Sequence, residues 1–346
     1  MLVLRRTVLA GSLAMISAGC MRVDNTGLGE VESGVSFEPF APEFDRIVDR
    51  DASLRLLSTG HQWSEGPAWD RARQKLYFTD VPRNRAYAWS ATDGEEIFLD
   101  PSGVDPAEAQ DMREPGANGL LLAQSGDLLI CNHGARAVQL RRFEDGERRT
   151  LVDRFEGKRF NSPNDLIQAS DGTIYFTDPP YGLQGLNESP LKEMSVNGVY
   201  ALSPSGNVAR LVDDMTFPNG VVLSADESWL YVSQSDPDAP LIRRFAVENG
   251  ARKPGDRGEV WFDARPFMHE AGGLPDGMAV GSEGHIFLAG PGGVLVIDPE
   301  AKCLGRIATG RATANCAFGE DGRTLFITAA DRVVAVRTIA LGLGRF

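Results

Sequence analysis

Six short acids and amides recur through the 346-residue chain in one setting. Glu65 stands eleven residues ahead of the apolar run that begins at Leu76, and Asn118 stands ten ahead of the run from Leu128. Asn164, Asn219, Asp276 and Asn315 precede runs beginning at Ile174, Leu230, Ile286 and Leu325 by ten, eleven, ten and ten residues. Gly or Asp follows five of the six, and Cys316 follows Asn315. One such Asn is explained by a capped turn, since its short amide bonds its own backbone. Six equivalent positions are not. Oxygen donors brought together from several directions are what a hard cation requires.

The elements that would gather them are short strands. In residues 160–182 an Asp171-Gly172 pair lies between apolar segments, which signals a hairpin. The unit repeats with successive starts 53, 46, 55, 57 and 39 residues apart. A period of about 40–50 residues carrying several short strands is the signature of a β-propeller. The sequence therefore predicts an all-β, six-bladed β-propeller. The first strand of each blade lines the central channel, so Glu65, Asn118, Asn164, Asn219, Asp276 and Asn315 converge on one axis. Two further strands follow each hairpin, except in the sixth unit, which has only residues 333–337 before the chain ends. Residues 54–59, LRLLST, have no hairpin partner and supply the missing outer strand, closing the ring and covering an open edge.

Around this domain, 51–346, the remaining sequence is simple. Residues 1–20 read as an export signal: Arg5-Arg6, an apolar stretch too short to span a membrane comfortably, then small residues. The pair followed by Thr7-Val8-Leu9 resembles a twin-arginine signal, and Ser17-Ala18-Gly19-Cys20 resembles a lipobox with Cys20 as the lipidated residue. The expectation is a bacterial periplasmic protein, held at a membrane only through a lipid at Cys20. Residues 21–50 are polar and rich in Gly and Pro, and read as an extended tether. Without Arg5 and Arg6 the chain carries a net charge near −15, which disfavours nucleic acid and anionic lipid surfaces. Cys131, Cys303 and Cys316 show no disulfide or zinc spacing; Cys131 and Cys316 fall inside strand patterns as buried apolar residues. Two long insertions, 101–115 and 179–195, fit either lids over a site or tolerated surface loops.

SEGPAWD around Glu65, NSPNDL with FTDPPYG around Asn164, FPNGVVLS around Asn219, LPDGMAV around Asp276 and NCAFG around Asn315 occur in that order. Together they resemble the senescence-marker-protein, gluconolactonase and luciferin-regenerating-enzyme superfamily, over about residues 54–337. The resemblance implies a six-bladed propeller with a divalent cation in the channel, most often Ca²⁺, with Zn²⁺, Mg²⁺ or Mn²⁺ as alternatives. It implies that Glu65, Asn219 and Asp276 are metal ligands and that Asn164 is a ligand or substrate contact. Asn118 and His133 become substrate contacts, while His61, His269 and His285 read as structural.

Two carboxylates with one or two amides would leave a cation partly unneutralised, able to act as Lewis acid and to lower the pKa of bound water. Asp276 by resemblance, or Asp165, would be the general base. No G-x-S-x-G elbow and no Ser/His pairing is legible, which disfavours an acyl-enzyme. The expected function is metal-dependent opening of a small, sugar-derived lactone. Alternatives are phosphotriester hydrolysis at the same site, a non-catalytic propeller binding carbohydrate or a partner, and a strictosidine-synthase-like propeller. Retention of both Glu65 and Asp276 argues against mere binding.

Overall fold

A computed structural model describes residues 36–344, so the export segment and Cys20 lie outside the described residues. Six antiparallel sheets form the six blades of a propeller. The innermost strands, in order, are Ser64–Asp70, Ala117–Leu122, Leu166–Gln168, Pro218–Leu223, Met278–Val280 and Asn315–Gly319. Each pairs with the apolar run that follows it: Lys75–Asp80, Leu128–Asn132, Ile174–Asp178, Trp229–Gln234, Ile286–Gly290 and Thr324–Ala329. These second strands are almost wholly buried, because blade faces pack on both sides and leave no solvated face for an alternating pattern. Aromatic contacts join blades: Trp69 stacks on Phe326 at 5.2 Å across the first and sixth, and Phe287 meets Phe318 edge-on at 5.0 Å across the fifth and sixth.

The ring closes as the repeat count requires. Arg55–Thr59 pairs antiparallel with Arg332–Arg337 and becomes the outer strand of the sixth blade. Ser58 adds a joint to the first blade: its Oγ lies 2.6 Å from His61 Nε2 and also donates to Glu95 of the strand Gly94–Leu99. This is a Ser/His pairing that sequence spacing did not disclose. Both residues are buried at the seam between blades, away from the channel, and His61 is enclosed edge-on by Phe78 and Tyr87. Its place agrees with a structural histidine.

Part of the stretch expected to be a tether is docked on the body. Ser36–Pro39 adds a fifth strand to the fifth blade, pairing with Cys303–Ala308, and a 3-10 turn follows at Pro42–Arg46. Phe44 is fully buried there, over Gly305, where a Cβ would stand 2.4 Å from the Phe44 ring. Glu38 pairs with Arg306 at 2.5 Å. With two prolines and no alternation, SFEPFAPEF carries no strand signal of its own; the contacts that hold it are tertiary.

Candidate active site

The channel mouth is built by three local devices. Where Glu65, Asn118 and Asn219 sit, the pairing of the inner strand with its neighbour slips register, between Glu65 and Ala68, Ala117 and Leu120, and Pro218 and Val221. A bulge re-aims a side chain out of the strict alternation of a strand. The preceding blade then fixes the backbone. Thr79 Oγ1 donates to the Asn118 carbonyl at 3.1 Å, Thr177 Oγ1 to that of Asn219 at 2.6 Å, and Ser233 Oγ to that of Asp276 at 2.7 Å. In each case the hydroxyl belongs to the second strand of the preceding blade.

The following Gly permits this approach: a Cβ on Gly66 would lie 2.2 Å from the Asn118 carbonyl oxygen, and one on Gly220 2.3 Å from that of Asp276. The acids of the Thr-Asp pairs hold the loops that enter the site. Asp80 accepts from the N–H groups of Gln62 and Trp63 at 3.0 and 3.2 Å, and Asp178 from Asn161 and Ser162, both at 2.8 Å.

Five of the six repeated polar residues, Glu65, Asn118, Asn164, Asn219 and Asp276, line one cavity of about 480 Å³, walled also by Trp63, Pro82 and Leu274. Glu65, Asn118, Asn164 and Asn219 are buried, and Asp276 is half-buried. The sixth, Asn315, faces a separate cavity of about 130 Å³ deeper in the channel, among Leu120, Val221 and Met278, and its Oδ1 accepts the Cys316 N–H at 2.8 Å. Asp165 is there too. Its Oδ1 accepts from the Leu166 N–H at 2.9 Å and its Oδ2 from Val221 N–H at 3.3 Å. It takes the place that Gly holds in four of the other five units, and its carboxylate is committed to the adjoining backbone. Asp165 therefore lies off the wall of the larger cavity, which Asp276 lines.

His133, expected as a substrate contact, does not line the cavity either. It stands fully buried behind Asn118, with Nε2 3.2 Å from Asn118 Nδ2. Burial, with the Arg113 charge added, pushes its pKa down to about 3, so the ring is neutral and its Nε2 accepts from the amide. Asn219 Nδ2 is held in the same way by Ser235 Oγ at 2.8 Å. Both amides are thus anchored through nitrogen, which leaves the oxygen as the available group. Orientation of ligands by partners behind them is a general property of metal sites.

The electrostatics of the two acids are unusual. Burial pushes Glu65 up to about 8, helped by the Asp165 charge, and burial together with Glu65 holds Asp276 well above the usual carboxylate range. Asp276 Oδ1 is buried without a hydrogen-bond partner, and no lysine or arginine pairs with either acid among the described residues. Buried carboxylates are ordinarily paired or coordinate metals. No group of three His, Cys, Asp or Glu poised for a metal forms among the described residues. The two carboxylates share the cavity with the amides of Asn164 and Asn219, and together they would make an all-oxygen set that fits a hard cation.

The insertions, left open between lids and tolerated loops, meet over this cavity. The N–H groups of Arg113 and Glu114 bond the Gly182 carbonyl at 2.9 and 3.4 Å, and Arg113 Nη1 reaches the Tyr181 carbonyl at 3.3 Å. Arg113, Glu114 and Tyr181 all line the cavity. Tyr181 stacks on Phe217 at 5.9 Å. Its hydroxyl is buried near Ser235 but makes no well-formed hydrogen bond, while Ser235 Oγ accepts from Asn219 and donates to the Pro275 carbonyl. These three residues escaped the sequence reading; the one signal for them was the unusual length of the loops.

Fold and cavity together define a six-bladed propeller with its site at the channel mouth. The chain belongs to the SMP-30/Gluconolactonase/LRE-like family, whose region it matches over residues 63–331. It is 40% identical to a gluconolactonase of Zymomonas mobilis subsp. mobilis over 306 residues, 88% of this chain and 86% of that protein. It is 27% identical to a pentonolactonase of Haloferax volcanii, over 80% of this chain and 84% of the relative. The crystal structure of a gluconolactonase of Xanthomonas campestris superposes with a TM-score of 0.75 at 30% identity, covering 90% of this chain and 98% of its own.

Proposed function

We propose that the protein hydrolyses a small sugar-derived lactone in the channel cavity and depends on a divalent cation to do so. The observation that carries this reading is the pair of unneutralised acids, Glu65 and Asp276, set beside amide oxygens in one cavity. The relatives named for gluconolactone and pentonolactone hydrolysis support the substrate class. Glu65, Asn164, Asn219 and Asp276 would hold the cation, and an all-oxygen set suits Ca²⁺ best. When bound, the cation supplies Lewis-acid polarisation of the lactone carbonyl and charge compensation for the acids.

The chain's own residues do the rest. Asp276 takes a proton from the attacking water as general base. The Asn118 amide, held from behind by His133, presents its oxygen to substrate hydroxyls. Trp63, Pro82, Tyr181 and Leu274 wall the cavity against bulk water.

Assay of chelator-treated and Ca²⁺-reloaded protein on aldonolactones and on a phosphotriester tests the reading. Lactone turnover that is lost in chelator and regained on reloading is expected. Turnover unaffected by chelator would sink the cation dependence, and faster phosphotriester than lactone hydrolysis would sink the substrate class.

A further inference from the structure

Ring opening needs two proton transfers, one from the attacking water and one to the departing ring oxygen, and the site described so far handles only the first. We propose that Glu114 is the proton donor to the ring oxygen, acting across the cavity from Asp276; this rests on the lactone reading above.

Three observations carry it. The first is placement. Asp276 leads into the first strand of the fifth blade and Glu114 leads into that of the second, which lies diametrically opposite in a six-bladed ring. Both acids line the same cavity, so a substrate held between them meets one on each side. The second is fixation. Glu114 sits in the backbone junction of the two insertions, where its own N–H and that of Arg113 share the Gly182 carbonyl. Its Oε1 lies 2.9 Å from Arg113 Nη1 and its Oε2 lies 3.6 Å from His133 Nδ1. The third is the elimination of neighbours. Neutral, fully buried His133 does not reach the cavity, and burial drives the Tyr181 hydroxyl further from proton donation. Burial lifts Glu114 to about 7 against the pull of Arg113, which puts its proton exchange in the neutral range where a general acid works.

The step balances. The water oxygen bonds the carbonyl carbon as Asp276 receives the water proton. The bond from that carbon to the ring oxygen then breaks, its electron pair stays on the ring oxygen, and the Glu114 proton completes the hydroxyl. The proton held by Asp276 passes through cavity water to Glu114, and the new carboxylic acid ionises, releasing one proton to solvent.

Leaving-group dependence reads this role directly. An alkoxide leaves poorly without a proton, whereas a phenolate leaves readily, its conjugate acid having a pKa of about 10. Glu114→Gln should lower kcat on an aldonolactone by about 10²-fold or more, the usual size of general-acid help, and leave an aryl lactone such as dihydrocoumarin within about fivefold. Equal losses on the two substrates, or no loss on either, would overturn the proposal. Glu114→Asp keeps a carboxyl and serves as the second variant. It should retain the aldonolactone rate to within about tenfold, given the same proton-transfer role. A fall as deep as that of the Gln variant would show a packing role and overturn it too. Wild-type protein that opens neither lactone would instead remove the underlying reading, an outcome distinct from a wild type that turns over and a variant that shows no selectivity.

Discussion

Asp276→Asn is expected to abolish lactone hydrolysis beyond rescue by excess cation, whereas Glu65→Gln is expected to regain it. Both substitutions keep size and hydrogen-bonding capacity, and each removes one negative charge from a set that no basic residue neutralises among the described residues. Weaker cation affinity should follow in both. The two acids differ in what else they do. Glu65 Oε2 accepts the Gly66 N–H at 3.0 Å, while Asp276 Oδ1 has no hydrogen-bond partner among the described residues and would be the acceptor for a water proton. Excess Ca²⁺ restores occupancy but does not restore a proton acceptor, and general-base help alone is worth about 10²–10⁴ in rate. Steady-state rates over a cation titration decide it. Full recovery of Asp276→Asn would show a ligand only; with Asp165 bonded to the Leu166 and Val221 backbone deeper in the channel, the proton would then have to go to water.

Removal of residues 54–59 is expected to cost most of the stability of the domain. The strand Arg55–Thr59 covers the edge of Arg332–Arg337, Leu54 is buried in the core, and the half-buried Leu56 and Leu57 pack on the core clusters of the sixth blade and its neighbours. Four paired positions are lost with it. At roughly 1 kcal/mol per hydrogen bond and about 1.5–3 kcal/mol per buried Leu, the loss approaches the 5–15 kcal/mol that holds a domain together. The Ser58 joint to His61 and Glu95 goes at the same time. Aggregation or a much lower melting temperature by circular dichroism is the expected result, since an open edge also templates association. A truncated protein that melts like the full chain would contradict closure by this strand.

What could be read from the chain followed from repetition. Polar residue, then Gly, then an apolar run recurs because each element of the pattern has a geometric duty: the polar side chain faces the channel, the Gly admits the next blade, and the run is a strand buried on both faces. Blade number, closing strand and the acids and amides of the cavity were legible for that reason. Departures from repetition were not. Asp165 follows Asn164 where Gly follows four of the others, yet its carboxylate turns to the N–H of Leu166 in its own blade and of Val221 in the next, a choice that spacing does not encode. Glu114 and Tyr181 reach the cavity only because two insertions separated by a whole blade bond to one another. His133 falls behind Asn118 for a similar reason, since strand-end residues next to a motif gain a role only when the fold decides which wall they form. The docking of Ser36–Pro39 depends on a partner strand more than 260 residues away.

The central claim, that the channel acids are built to receive a cation, is tested most directly by titrating Ca²⁺ into chelator-treated protein by calorimetry in buffers of different ionisation enthalpy. Glu65, with its pKa near 8, carries a proton at pH 6–7 in the cation-free protein, and burial together with Glu65 holds Asp276 above the usual carboxylate range. A cation takes carboxylates only in their ionised form, so binding must expel any proton they hold. The sign is fixed: release is largest below the raised pKa and fades as pH climbs past it. One cation per chain, about one or more protons released at pH 6–7, and a smaller release in Glu65→Gln are the predicted results. Absence of binding by any divalent cation, or a binding heat that does not change with buffer, would contradict the account.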